Sequence, residues 1–123
     1  MAAATPKPLI WMGDSLAILR GFSPTVQDEV GYALYVAQLG GKHLTAKPLK
    51  GLGSGVLEVI SDHRGDTFRA VYTLRLPPVV YVLHAFQKKS KRGIATPKSD
   101  LDLIRQRLKR ALKLNAQRER SNE

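Results

Sequence analysis

The sequence has no cysteine among its 123 residues. That absence excludes disulfides, thiolate metal sites and cysteine nucleophiles together, and it leaves packing to stabilise the fold. No apolar run approaches the ~18–20 residues that a membrane span requires, so no membrane partner is expected. The opening stretch "MAAATPKPLI" lacks the basic start and apolar core of a secretory signal, which predicts a cytoplasmic protein. Internal repeats and low-complexity linkers are missing as well. Acidic residues are few, ten against twenty lysines and arginines, giving a net charge of +10 and an isoelectric point near 10.2.

Several catalytic signatures are also missing. No GxSxG occurs, and "GLGSG" (51–55) precedes a strand-like run instead of opening a helix, so neither a nucleophile elbow nor a phosphate loop is supported. His43, His63 and His84 are scattered, and the acids sit mostly at helix starts and in the turn "SDHRGD". No metal site and no cofactor are expected from such a distribution.

What is present fits one domain over residues 1–123, with 1–7 and 114–123 read as flexible tails. "PLIWM" (8–12) is a short apolar run that suits an edge strand. Asp14 or Ser15 can start a short helix that stops at Gly21. Ser23 and Pro24 then open a longer helix ending at Gly40-Gly41, with Val26, Val30, Ala33, Leu34 and Ala37 on one face. Residues 42–55, rich in glycine and lysine, read as a loop. Three strand-like runs follow at 56–61, 67–76 and 79–88, joined closely enough for an antiparallel meander. Strict alternation puts Val82, His84, Phe86 and Lys88 on one face of the last strand, and Tyr81, Leu83, Ala85 and Gln87 on the other. Thr96 as cap and Pro97 at the first position begin a C-terminal amphipathic helix with Leu101, Ile104, Leu108, Ala111 and Leu112 in its apolar stripe.

The positive charge is unevenly spread: residues 1–40 carry a net −1, so the remainder carries +11. Such a field attracts nucleic acid first. The cations gather at Lys47 and Lys50 in the loop, at Arg69 on the central strand, and at Lys88, Lys89, Lys91 and Arg92 after the last strand. In a meander these places can converge on a cleft suited to a phosphodiester chain, because arginine offers paired donors and lysine a compact charge. Without a metal, a basic cleft can still cleave RNA through attack of the 2′-hydroxyl, with fixed cations stabilising the negative charge that develops on the phosphoryl oxygens. Glu58 and His84 are candidate proton carriers beside the lysines. Each also has a plainer reading: Glu58 as an ion-pair partner of Arg69, and His84 as a side chain packed between Val82 and Phe86.

The order of elements, together with "AKPLKGLGSGVLEVISD", "DTFRAVYTLR" and "VYVLHAFQKKSKRGIATP", resembles the RelE/ParE toxin superfamily, most closely its phage-derived HigB-like branch. The resemblance runs from about Pro8 to Leu112. It implies an α+β fold in which an N-terminal helical hairpin packs on a twisted antiparallel sheet, followed by the C-terminal helix. It further implies a toxin of a type II toxin–antitoxin pair, an mRNA endonuclease that acts on the ribosome without a metal and inhibits translation. The implied partners are a cognate antitoxin of helix-turn-helix type, the ribosome and mRNA. Carried onto this chain, the resemblance assigns catalysis to Lys50, Glu58, Arg69 and Lys88, with Lys88 stabilising the leaving group and Lys50 or Glu58 as base. RNA binding falls to Lys47, Lys89, Lys91 and Arg92. The family's terminal His or Tyr is absent here. ParE-like relatives act on DNA gyrase instead, and a non-catalytic RNA-binding protein is a third reading.

Overall fold

A computed structural model of the chain describes residues 5–88 and 96–121. Along the chain run β1 (Leu9–Trp11), α1 (Ser15–Arg20), α2 (Pro24–Gln38), β2 (Ala46–Pro48), β3 (Val56–His63), β4 (Asp66–Thr73), β5 (Val80–Lys88) and α3 (Lys98–Ser121). The strands form one sheet in the order β1-β5-β4-β3-β2. Pairing is antiparallel from β2 to β5, while β1 joins β5 in parallel. The fold is α+β, and the sheet is antiparallel except at that edge.

Helices cover both faces. The hairpin of α1 and α2 buries Leu19, Val26, Val30, Ala33, Leu34 and Ala37 against Leu57, Val59, Phe68, Ala70, Tyr72, Val80 and Val82. On the opposite face α3 buries Ile104, Leu108 and Ala111 against Val71, Tyr81, Leu83 and their neighbours. A central sheet sandwiched in this way must be apolar on both sides, which explains the run of buried residues along β5.

The start of α2 has Pro24 at its first position, where a missing N–H costs nothing, although the hydroxyl of its cap residue Ser23 finds no partner. Its end follows the sequence reading. Gly40 takes φ +90°, and the amides of Gly40 and Gly41 donate to Ala37 and Val36, which closes the last turn. Arg64 and Gly65, both at positive φ, make the two-residue connection between β3 and β4.

Four features depart from the expectations. The segment 42–55 is not all loop: Ala46–Pro48 is an edge strand on β3, tolerated there because the edge asks for no donor from Pro48. β4 stops at Thr73, whose hydroxyl donates to Gly55 and accepts from the amide of Arg75, so the ladder gives way to side-chain bonding. α3 starts at Lys98 and runs to Ser121, through residues read as a tail. Its last turns are held by Asn115, which is buried, accepts from the Tyr81 hydroxyl at 3.2 Å and donates to Glu119. Arg118 and Arg120 in the final turn also suit the helix dipole.

The fourth departure is a β-bulge in β5. Val71 pairs with His84, but the next residue, Tyr72, pairs with Val82, which leaves Leu83 as an extra residue without a partner on β4. Val80 and Val82 therefore face the helical hairpin, whereas Leu83 and His84 both turn towards α3. Beyond the bulge, Phe86 lies opposite Arg69 and Lys88 opposite Thr67 on the α3 side. Strict alternation would have grouped Val82 with His84, Phe86 and Lys88, and it does not hold.

Candidate active site

The register of the sheet places four sequence-nominated residues on one face. Lys47 of β2 lies opposite Glu58 of β3, and Glu58 lies opposite Val71, two residues from Arg69 and on the same, α3-facing side of β4. Phe86 and Lys88 complete the row on β5. Arg69 donates to both carboxylate oxygens of Glu58, at 3.2 and 3.5 Å. The two side chains form a buried ion pair, with Glu58 8% and Arg69 6% exposed.

Lys88 is buried to the same degree, at 6% exposure. Burial pushes its ammonium below the usual lysine range, the nearby Arg69 guanidinium pushes in the same direction, and Glu58 partly opposes them. Two cations thus share one buried carboxylate. Such a group of charges is costly to keep dry, and this is the kind of environment in which a lysine gives up its proton more readily.

Beside this cluster is a cavity of about 480 Å³ lined by Lys47, Pro48, Leu49, Lys50, Glu58, Thr96 and Leu101. Lys47 and Lys50 are exposed at its rim. Thr96 was expected to cap α3, yet its buried hydroxyl makes no hydrogen bond, and the first helical bond runs from the Leu101 amide to the Pro97 carbonyl. Thr96 and Leu101 were nominated only as helix residues; no sequence signal marks them as cavity walls, because it is the pairing of β2 that brings them opposite Lys47. Lys89, Lys91 and Arg92 lie outside the described residues.

His84 is not in the cavity. Its ring stacks on Phe86 with centroids 5.2 Å apart. Nε2 lies 2.7 Å from Asp100 of α3, and Nδ1 lies 3.3 Å from Nη1 of Arg107. Arginine can only donate, so Nδ1 accepts and Nε2 carries the proton towards Asp100. Both nitrogens are engaged in tying β5 to α3, a structural role in which His84 packs on Phe86 but not on Val82, which faces the helical hairpin. Arg107 also donates to the Leu83 carbonyl and to Asp14, at 3.0 and 2.6 Å. Its guanidinium passes over Gly13, where any Cβ would come within 2.6 Å of it.

Among the described residues no group of three or more histidine, aspartate or glutamate side chains could hold a metal ion. Among those residues also, no helix is long and apolar enough to cross a membrane.

The family model described as "Phage derived protein Gp49-like" matches residues 17–109. Among solved structures the chain is similar to the toxin RelE of E. coli, a double arginine-to-alanine mutant in the free state, with a TM-score of 0.51. That likeness has 21% sequence identity and covers 66% of this chain and 82% of the other, so it shows a shared fold. No curated protein matches the chain.

Proposed function

The chain belongs to the phage-derived Gp49-like family, a RelE/HigB-type toxin family whose members have an antitoxin partner, and from that premise we propose that it is an mRNA endonuclease acting on the ribosome. The observation that carries this reading is the buried cluster of Glu58, Arg69 and Lys88 beside a cavity rimmed by Lys47 and Lys50. A gyrase-binding surface has no use for a half-neutralised cation cluster at the wall of a cavity. A phosphodiester does, because charge builds up on its oxygens as it reacts.

In the proposed reaction Lys47 and Lys50 hold the flanking backbone and Arg69 holds the scissile phosphate. Glu58, ion-paired with Arg69, takes the proton of the 2′-hydroxyl as that oxygen bonds to phosphorus. The bond from phosphorus to the 5′-oxygen breaks, and Lys88 donates its proton to the departing oxygen. A lowered pKa makes the ammonium a stronger acid, which suits it to this step in place of the absent His or Tyr. The products are a 2′,3′-cyclic phosphate and a 5′-hydroxyl, and no metal takes part.

The test is inducible expression of the wild type, Arg69→Lys and Lys88→Met, with mRNA ends mapped within minutes of induction. New ends inside translated frames, lost in both variants while their circular dichroism stays native, are the expected result. Growth arrest with intact messages would transfer the reading to gyrase, and no arrest would leave an RNA-binding protein without catalysis.

A further inference from the structure

The opposite edge of the sheet carries a second basic surface that the cleavage chemistry does not use. Between β1 and the C-terminal half of α3 runs a groove of about 1000 Å³, floored by Ile10, Leu103 and Leu114 and walled by Arg110 and Lys113, with Trp11 at its margin, its side chain packed against the hairpin core. A second cavity of about 530 Å³ shares Ile10 and Leu114 with it and extends the groove past Arg118. The α3 residues that face it recur at helical spacing, next to the stripe that packs on the sheet.

Two properties of this groove specify what would fill it. The first is charge. Lys109, Arg110, Lys113 and Arg118 border it, and among the described residues none of the four has a salt-bridge partner. Arg107, also at the groove, is already paired with Asp14, and among the described residues no acid lines the groove. The second is an open strand edge. β1 is the terminal strand; Pro8 accepts from Val80 and Met12 donates to Val82, so by the alternation of a parallel ladder the backbone groups of Leu9 and Trp11 point away from β5. Among the described residues nothing bonds to them.

We propose that this groove binds an extended acidic segment of a protein partner, which pairs with the outer edge of β1, seats alternate apolar side chains on the floor and places its carboxylates against Lys109, Arg110 and Lys113. Nucleic acid would match the charge but not the apolar floor or the unpaired strand edge. Because β1 and β2 are opposite edges of the sheet, such a partner leaves the Lys47 and Glu58 cavity open. The inference draws on the family's protein partnership and not on RNA cleavage, so either can fail alone.

Trp11 is the chain's single tryptophan and borders the groove, so its emission serves as the probe of occupancy. The full-length protein is titrated with a capped peptide of alternating glutamate and valine, and with single-stranded oligouridine, while Trp11 emission is followed. The peptide is expected to shift the emission saturably and to bind more weakly as salt rises. Replacing Lys109, Arg110 and Lys113 together by glutamate should weaken it by about tenfold or more. N-methylating alternate peptide amides should abolish binding. No emission change, binding indifferent both to the three charge reversals and to salt, retained binding of the methylated peptide, or an equal response to oligouridine would each overturn the proposal. Salt dependence in the wild type keeps the test decisive if the triple variant does not fold.

Discussion

Replacing Glu58 by glutamine removes the carboxylate that pairs with Arg69 and leaves the size of the side chain almost unchanged. Arg69 and Lys88, each 6% exposed, would then lose the Glu58 carboxylate between them, and the summed charge of the three side chains would rise from one positive to two. Breaking a buried pair by deleting one partner typically costs about 3–5 kcal/mol, because the remaining ion stays desolvated. Against a total stability of about 5–15 kcal/mol this is a large fraction, and it should lower the melting temperature by about 10–20 °C. The pair is not replaced by a neutral hydrogen bond of similar strength, since the amide offers one weaker acceptor to a cation that now also meets an unscreened neighbour.

Urea unfolding of wild type, Glu58→Gln, Lys88→Met and the double variant measures this. If the cost arises from two uncompensated cations, removing Lys88 as well should restore about 1–3 kcal/mol relative to Glu58→Gln alone. A Glu58→Gln variant within about 1 kcal/mol of wild type, with no coupling to Lys88, would refute the reasoning and show that the cluster is solvated. Ribonuclease activity should also fall in Glu58→Gln, but the stability cycle tests the electrostatics without relying on any reading of function.

The remaining predictions concern pH. Lys88 titrates lower in the folded protein than in the unfolded chain, so the unfolded state binds more protons between the two pKa values and stability rises with pH across that window. Lys88→Met should therefore match or exceed wild-type stability near neutrality, with the difference closing as pH approaches about 10, the ordinary lysine range; a gap that widened with pH in denaturant titrations would contradict this. The bond from Arg107 holds the Asp14 carboxyl below its usual range, with burial opposing only in part. Its contribution is present above the unfolded pKa and lost as pH falls through the folded one. Asp14 is 59% exposed, so Asp14→Asn should cost about 1 kcal/mol or less at neutral pH, and the difference should vanish as pH falls through the lowered folded pKa.

Much of the fold is legible in the sequence because local chemistry and tertiary structure agree there. The Pro24 start and Gly40 stop of α2, the three long strands and the apolar stripe of α3 all follow from it. β2 was not legible, since three residues ending in proline carry no periodicity, and Lys47 becomes a neighbour of Glu58 only through that pairing. The end of α3 was hidden for a related reason: "AQRER" has no apolar positions, although alanine, glutamine, arginine and glutamate are good helix formers. Its anchor is Asn115, a polar residue bonded to Tyr81.

The candidate site depends most on what the sequence does not display. Along β5 both alternate sets mix apolar and polar residues, because a strand covered by helices on both faces needs apolar groups on both, and burial then erases the two-residue period. The bulge has no compositional flag either, since the extra residue is Leu83 and not a glycine. Yet unbroken alternation would have turned Lys88 to the side of Val82, towards the core beneath α2 and away from Glu58 and Arg69. One inserted residue places Lys88 on the same face as Arg69 and Glu58 instead, so the charge cluster on which the proposed chemistry rests is a consequence of that irregularity in the ladder.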